Sequence, residues 1–313
     1  MKKSEGYAHG KIILIGEHAV VYGQPSIALP FPATQIRATI TPSEMNNLTI
    51  ECMFYKGLLN DMPELLDSLK KVIEVSLKRL NQPNAFLHIK IESTIPAERG
   101  MGSSAAVSVA TTRALFDYYK QKLSREELLD IVNIAEIIAH GNPSGLDALM
   151  TSSSQPYYFI KNQTPELIQP NLDAVLIVAD TGVTGQTKKV VQQIATKLNQ
   201  TDGSHYQEMM TTIGELVKKS RLALTHNQAE ELGALLTNTH SLLSQLGATS
   251  PELEQLVTCA LASGALGAKL TGGGGGGCMI ALAKNTTEAK HIAQNLTQIG
   301  AKSTWLYEMS DLS

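Results

Sequence analysis

The segment His140-Gly141-Asn142-Pro143-Ser144-Gly145-Leu146-Asp147 sets a carboxylate just past a helix-breaking turn, and Glu136 lies a few turns upstream of it. Glu136 falls late in a helical run, Gly141 and Pro143 stop that run, and Ser144 can cap a new helix beginning near Gly145. Two acids brought to one place suit a metal-binding carboxylate beside a catalytic one. The same spacing also fits a capping box, Ser144-x-x-Asp147, in which Asp147 serves only the helix end.

Two glycine-rich segments offer places for phosphate. Gly100-Met101-Gly102-Ser103-Ser104-Ala105-Ala106 leads straight into a run of small residues ending near Thr112. Backbone N–H groups of such a turn approach an anion closely, the following helix adds oriented donors, and the serine hydroxyls are hard oxygen ligands of the kind magnesium takes. A plain strand-to-helix turn has the same form. The segment also satisfies the loose dinucleotide pattern Gly-x-Gly-x-x-Ala, but the chain then continues as helix through Lys120. A Rossmann unit instead needs a second strand ending in an acid about twenty residues on. The Walker pattern and the protein-kinase signatures are absent. The second segment, Gly272 to Gly277, is longer than a hairpin needs and costs roughly 1 kcal/mol per ordered glycine, which argues against an idle turn while leaving a flexible spacer open. At the other end of the chain, Lys11 precedes Ile12-Ile13-Leu14-Ile15, and Gly16-Glu17-His18 interrupts an apolar run. Charged and imidazole groups breaking such a run suggest a pocket wall. Taken alone, Lys11 reads as an edge-strand lysine, and His18 equally as a satisfied core histidine.

The elements that must position these groups follow from periodicity. Lys11 to Val21 reads as an apolar strand interrupted at Gly16, and Phe86 to Glu92 as a half-buried strand. Leu65, Leu66, Leu69, Val72, Ile73, Leu77 and Leu80 recur at helical spacing on a segment opened by Pro63. Ser124-x-x-Glu127 opens the helix that holds Glu136. Residues 151–156 and 162–170 read as connecting loops, which puts a domain boundary near 168 and divides the chain into 1–168 and 169–313. The second part begins with a strand over Asp173 to Ala179 and continues with helical patterns at 206–225, 228–246 and 251–263. Lys269-Leu270 and Cys278 to Ala283 then flank the glycine run, followed by a helix over 286–298 and a strand from Ser303 to Met309. The expected class is α+β.

Composition narrows the function classes. The 313 residues are 43% hydrophobic and 18% charged, enough to bury a large core, and the net charge of −3 without a basic cluster gives no footprint for nucleic acid or an anionic membrane. Cys52, Cys259 and Cys278 are odd in number and lack metal-ligand spacing, so a reducing compartment and buried thiols are expected, with no zinc site. With no signal peptide and no apolar run long enough to span a bilayer, the expected location is cytoplasmic.

The segment Gly10-Lys11-Ile12-Ile13-Leu14-Ile15-Gly16-Glu17-His18-Ala19-Val20-Val21-Tyr22-Gly23, together with Gly100 to Ala106 and Lys269 to Gly277, resembles the three ordered motifs of the GHMP small-molecule kinases. The first of these and the His140 to Asp147 motif resemble the short prokaryotic branch that phosphorylates mevalonate, more than the galactokinase, homoserine kinase or diphosphomevalonate decarboxylase branches. The resemblance implies a ribosomal-protein-S5-like N-terminal domain that binds ATP and a ferredoxin-like C-terminal domain, with the active site between them, and a homodimer. It implies Asp147 as general base with Lys11 beside it, and Ser104 and Glu136 as Mg2+ ligands. By the same analogy Gly100, Met101, Gly102, Ser103, Ser104 and Ala105 hold the ATP phosphates. Glu17, His18 and Thr187 line the acceptor pocket, and the run containing Gly273 and Gly274 closes over the nucleotide side. Related sequences often carry a larger residue within those glycines, and this chain does not. The implied reaction is transfer of phosphate from ATP to the C5 hydroxyl of mevalonate. A GHMP kinase for another acceptor, such as phosphomevalonate or a sugar, and a non-catalytic ligand sensor on the same fold are the alternatives.

Overall fold

A computed structural model describes the chain except Met1, Met45, Asn142, Thr201, Asp202 and Ser313, so Asn142 of the acid-bearing motif lies outside the described residues. Two compact units emerge: one comprises Met1–Lys11, Pro30–Pro96 and Gly102–Ser153, the other Ile12–Leu29, Ala97–Met101 and Ser154–Ser313. Two long strands, β1 (Ser4–Ile15) and β2 (Ser26–Pro42), run through both.

In the first unit β2 pairs antiparallel with β5 (Leu87–Ser93), Ile36 opposite Ser93 and Ile40 opposite Ile89. The short hairpin of β3 (Thr49–Cys52) and β4 (Tyr55–Leu58) extends the sheet, with β3 parallel to β5. Alternation decides the buried face: Ile36, Ala38 and Ile40 of β2 and Leu87, Ile89 and Ile91 of β5 point inward at side-chain period two. Four helices pack together in this unit: α1 (Asp67–Arg79), α2 (Ser103–Tyr118), α3 (Arg125–His140) and α4 (Leu146–Ser152). Helix α2 is tightly enclosed, and its small residues Ala105, Ala106, Ala110 and Ala114 are all fully buried. Ser124 caps α3 by accepting the Glu127 N–H at 3.1 Å, the bond its sequence spacing predicts.

In the second unit the start of β2 pairs with β6 (Tyr157–Phe159), and β6 with β7 (Glu166–Leu167). A second sheet, wholly antiparallel, orders β8 (Val175–Asp180), β9 (Gly267–Thr271), β10 (Cys278–Ala283) and β11 (Ser303–Glu308) as β11-β8-β10-β9. That is the fourth-first-third-second order of a ferredoxin-like sheet. Helices α5 (Thr187–Leu198), α6 (Ser204–Thr225), α7 (Ala229–Leu246) and α8 (Pro251–Ala262) fill the long crossover, and α9 (Thr286–Gln298) the second one. Strands β8, β9 and β10 are buried at every residue, whereas β11 is half-exposed along its length.

Several details differ from the sequence expectation. The first strand stops at Ile15, because Gly16 (φ 104°) and His18 (φ 59°) turn the backbone, and Ala19–Tyr22 forms a short 3-10 turn. Helix α5 is not visible in the periodicity because it buries only Val190 and Ile194. Of the three cysteines only Cys278 is buried, while Cys52 and Cys259 are partly exposed. No helix among the described residues is long and apolar enough to cross a membrane.

Candidate functional site

In the first unit, four predicted residues converge. The Lys11 ammonium on β1 lies 3.0 Å from the Asp147 carboxylate; the lysine side chain is only 3% exposed and the aspartate 32%. Asp147 sits in the first turn of α4, where the partial positive charge of the helix favours a carboxylate. The capping-box alternative fails on geometry. Gly145, in the left-handed region at φ 85°, is itself the N-cap of α4, and the Ser144 hydroxyl accepts the Leu146 N–H at 3.3 Å instead of the Asp147 N–H. The Asp147 side chain is thereby left to Lys11.

Glu136, in the last turns of α3, is 3% exposed, and its carboxylate is hydrogen-bonded by the Ser104 hydroxyl. Burial first, and then the nearby Asp147 charge, push its pKa up to about 8, with the Ser104 bond and Lys11 acting the other way. A cation held between Ser104 and Glu136 would offset both penalties, and a hydroxyl with a carboxylate is the donor set magnesium shares with phosphate oxygens. Among the described residues, no group of three or more His, Cys, Asp and Glu side chains is arranged to hold a metal by itself. Ser104 also opens α2, whose N-cap Gly102 contributes no capping side chain, so the first-turn N–H groups around Ser103, Ser104 and Ala105 are available to an anion. Gly102 adopts φ 73°, and a Cβ there meets both the Lys11 stem and Thr151 Cγ2 at 3.0 Å. Only glycine lets this turn and Lys11 pack so closely.

In the second unit, Glu17 and His18 follow β1 through the Gly16 turn and are both buried. His18 has its pKa lowered to about 4 by burial, with Lys269 adding to the effect, and is hydrogen-bonded to the Gly273 backbone. It is therefore neutral at pH 7, and its buried Nε2 finds no hydrogen-bond partner among the described residues. Thr187, the first residue of α5, sets its hydroxyl against the Cα of Gly273. The glycine run is pinned rather than loose: Gly275 N–H donates to Ala248 O at 2.9 Å and Gly277 N–H to Val183 O at 2.8 Å. Gly274, at φ 70°, lies against the Ala248 carbonyl, where any Cβ collides with backbone. The flexible-spacer alternative does not describe this loop.

Two cationic residues beside these groups carry no clear mark in the sequence. Lys269, on β9, is fully buried in an ion pair with the fully buried Glu17 and also donates to Leu270 O. The only signal was a lysine inside an otherwise apolar strand. Removing one partner of such a pair leaves a buried charge, so Lys269→Met is expected to lower unfolding stability by about 3–5 kcal/mol. The double variant with Glu17→Gln is expected to recover most of that loss in urea denaturation. Arg99, directly before Gly100, is the other, with its Nε on Asp180 Oδ1.

Residues 67–154 match the family model for the GHMP kinases N terminal domain, and residues 220–302 that for the GHMP kinases C terminal. The chain is 31% identical to the mevalonate kinase of Pyrococcus furiosus over 305 residues, covering 89% of this chain and 88% of that protein. A crystal structure of mevalonate kinase from methicillin-resistant Staphylococcus aureus MRSA252 is 34% identical, with a TM-score of 0.75 over 99% of this chain and 100% of that one. The crystal structure of L. major mevalonate kinase in complex with R-mevalonate is 27% identical, with a TM-score of 0.81 over 98% and 96% of the two chains. The chain belongs to the GHMP kinases and has their two-domain α+β fold, ribosomal-protein-S5-like in the N-terminal domain and ferredoxin-like in the C-terminal domain. Within that family its likeness is to the mevalonate kinases.

Proposed function

We propose that this chain transfers the γ-phosphoryl group of ATP to the C5 hydroxyl of mevalonate, giving 5-phosphomevalonate for isoprenoid synthesis. The observation that carries the reading is the Lys11–Asp147 pair at 3.0 Å, a buried ammonium on a partly exposed carboxylate. A sensor that only bound its ligand has no use for a base and a cation held together this way. The carboxylate of Asp147 accepts the proton of the attacking hydroxyl. The ammonium of Lys11 orients the Asp147 carboxylate and stabilises negative charge on the acceptor oxygen and the moving phosphoryl group. Phosphoryl transfer passes through a loose transition state, so positioning and charge neutralisation contribute more than basicity does.

Gly100, Met101, Gly102, Ser103, Ser104 and Ala105 form the ATP phosphate cradle in this reading, with α2 supplying its N-terminal N–H groups. Ser104 and Glu136 would hold magnesium, which when bound neutralises charge on the phosphate oxygens. Glu17, His18 and Thr187 line the acceptor pocket. His18 there presents a neutral ring, and Gly273 and Gly274 bound the substrate from the glycine run. The residues divide between an N-terminal domain, 1–168, and a C-terminal domain, 169–313; the two family matches fall on either side of that boundary. A cytoplasmic homodimer completes the proposal, and light scattering of the purified protein reads its oligomeric state.

Glu136→Gln removes the charge but keeps the shape. It is expected to weaken magnesium affinity by about 10–100-fold, measured both as the concentration giving half-maximal rate and by titrating Mn2+ followed by electron paramagnetic resonance. The reaction itself is tested by 31P NMR and mass spectrometry of the product formed from ATP and R-mevalonate. Phosphate on the C5 oxygen supports the reading, and a monophosphate at another position removes Asp147 from its assigned place.

A further inference from the structure

Arg99 stands immediately before the glycine turn at Gly100, where an arginine invites assignment as a phosphate ligand. Its guanidinium is already engaged elsewhere. Nε donates to Asp180 Oδ1 at 2.9 Å, Nη1 to Ala97 O at 3.3 Å and Thr184 Oγ1 at 3.1 Å, and Nη2 to Gly182 O at 2.9 Å. A guanidinium has five N–H donors in a rigid fork. These bonds use four of them, and the Asp180 side chain facing it is only 4% exposed.

The partners belong to one turn. Asp180 ends β8, its Oδ1 also accepts the Gly182 N–H at 2.9 Å, and the turn leads on to Thr187. Backbone bonds follow the same lines. Gly185 N–H donates to Glu98 O at 2.9 Å, Thr181 N–H and Oγ1 donate to Gly277 O at 3.0 and 2.7 Å, and Gly277 N–H donates to Val183 O at 2.8 Å. The turn 180–185 therefore has the approach to Gly100 on one side and the end of the glycine run on the other. Arg99 is the side chain that reaches across it.

We propose that Arg99 is a positioning residue, a clasp that holds residues 97–101, residues 180–185 and Gly277 as one rigid cradle. By this means it fixes the Gly100 turn and Thr187 together without touching substrate. The inference rests on the proposed kinase reading for what the cradle positions, but the clasp itself has a readout independent of that reading.

Arg99→Met keeps the stem and removes every donor; Arg99→Lys keeps the charge and can satisfy the Asp180 carboxylate but not the fork. In hydrogen exchange, both variants are expected to lose protection together at 97–101, 181–185 and Gly277. Loss confined to 97–101 overturns the clasp whether or not the protein is a kinase. In steady-state kinetics, Arg99→Met is expected to raise KM for ATP and for the acceptor each by about tenfold or more, with a smaller change in kcat, because misplaced binding groups cost orders of magnitude. Arg99→Lys is expected to give little rescue. Unchanged KM values alongside a lowered melting temperature would leave Arg99 merely structural and overturn the proposal. Should Arg99→Met fail to fold, Thr184→Val removes one acceptor only and is expected to shift both KM values in the same direction; wild-type values in that variant also overturn it. A wild-type protein without turnover on any acceptor removes the kinase reading instead, and the exchange pattern still decides the clasp.

Discussion

Asp147→Asn is expected to lower turnover by about 10²–10⁴-fold while calorimetric affinity for ATP stays within a few-fold of wild type. The substitution keeps size and hydrogen-bonding shape and removes the charge that accepts a proton. Nucleotide contacts are assigned to the turn at Gly100 to Ala105 and the start of α2, so binding should survive the change. Asp147 is the partly exposed residue in the otherwise buried first turn of a short helix whose N-cap is Gly145, and its side chain contributes little to the fold beyond its pairing with Lys11. Unchanged turnover removes the general base. Loss of ATP affinity in parallel with turnover makes Asp147 a binding or structural residue instead.

Lys11→Met is expected to lower kcat by about 10²–10³-fold, the range seen when one preorganised stabilising donor is lost from an active site. Methionine fills the volume of the buried stem that packs against Gly102, so the fold should tolerate it. Asp147 then loses the cation 3.0 Å away that orients it. A variant with wild-type kcat contradicts the role given to Lys11. The two losses should be far from additive, because the residues act as a unit; Lys11→Met with Asp147→Asn is expected to be little worse than Asp147→Asn alone.

The candidate site residues legible in the sequence are those marked by breaks in pattern. Gly16-Glu17-His18 interrupts an apolar strand, Gly141 and Pro143 end a helix just before Asp147, and Gly100 and Gly102 precede a helix of small residues. Each break is a local signal, and each falls where the structure turns. The ferredoxin-like half was equally legible, because α6 to α9 are long and β8 to β10 are buried at every residue. What the sequence hides are choices made over long separations. Ser144-x-x-Asp147 fits a capping box as well as a catalytic acid in sequence; Gly145 as the cap and the Ser144–Leu146 bond exclude the first, and Lys11 on a distant strand supplies the partner of the second. The Lys269–Glu17 pair and the Arg99 clasp likewise join residues far apart in the chain, with no periodicity to announce them. Strand β2, unassigned from the sequence, contains Pro30 and Pro32, which interrupt a strand pattern, and α5 buries too few side chains to show a face.

The central claim is phosphate transfer to mevalonate, and initial-rate ADP release tests it most directly. Purified protein with ATP and magnesium is compared with R-mevalonate, phosphomevalonate, galactose, homoserine or no acceptor. Turnover with mevalonate far above every other condition is the predicted result. Preference for another acceptor contradicts the substrate, and nucleotide binding without turnover on any acceptor contradicts the enzyme.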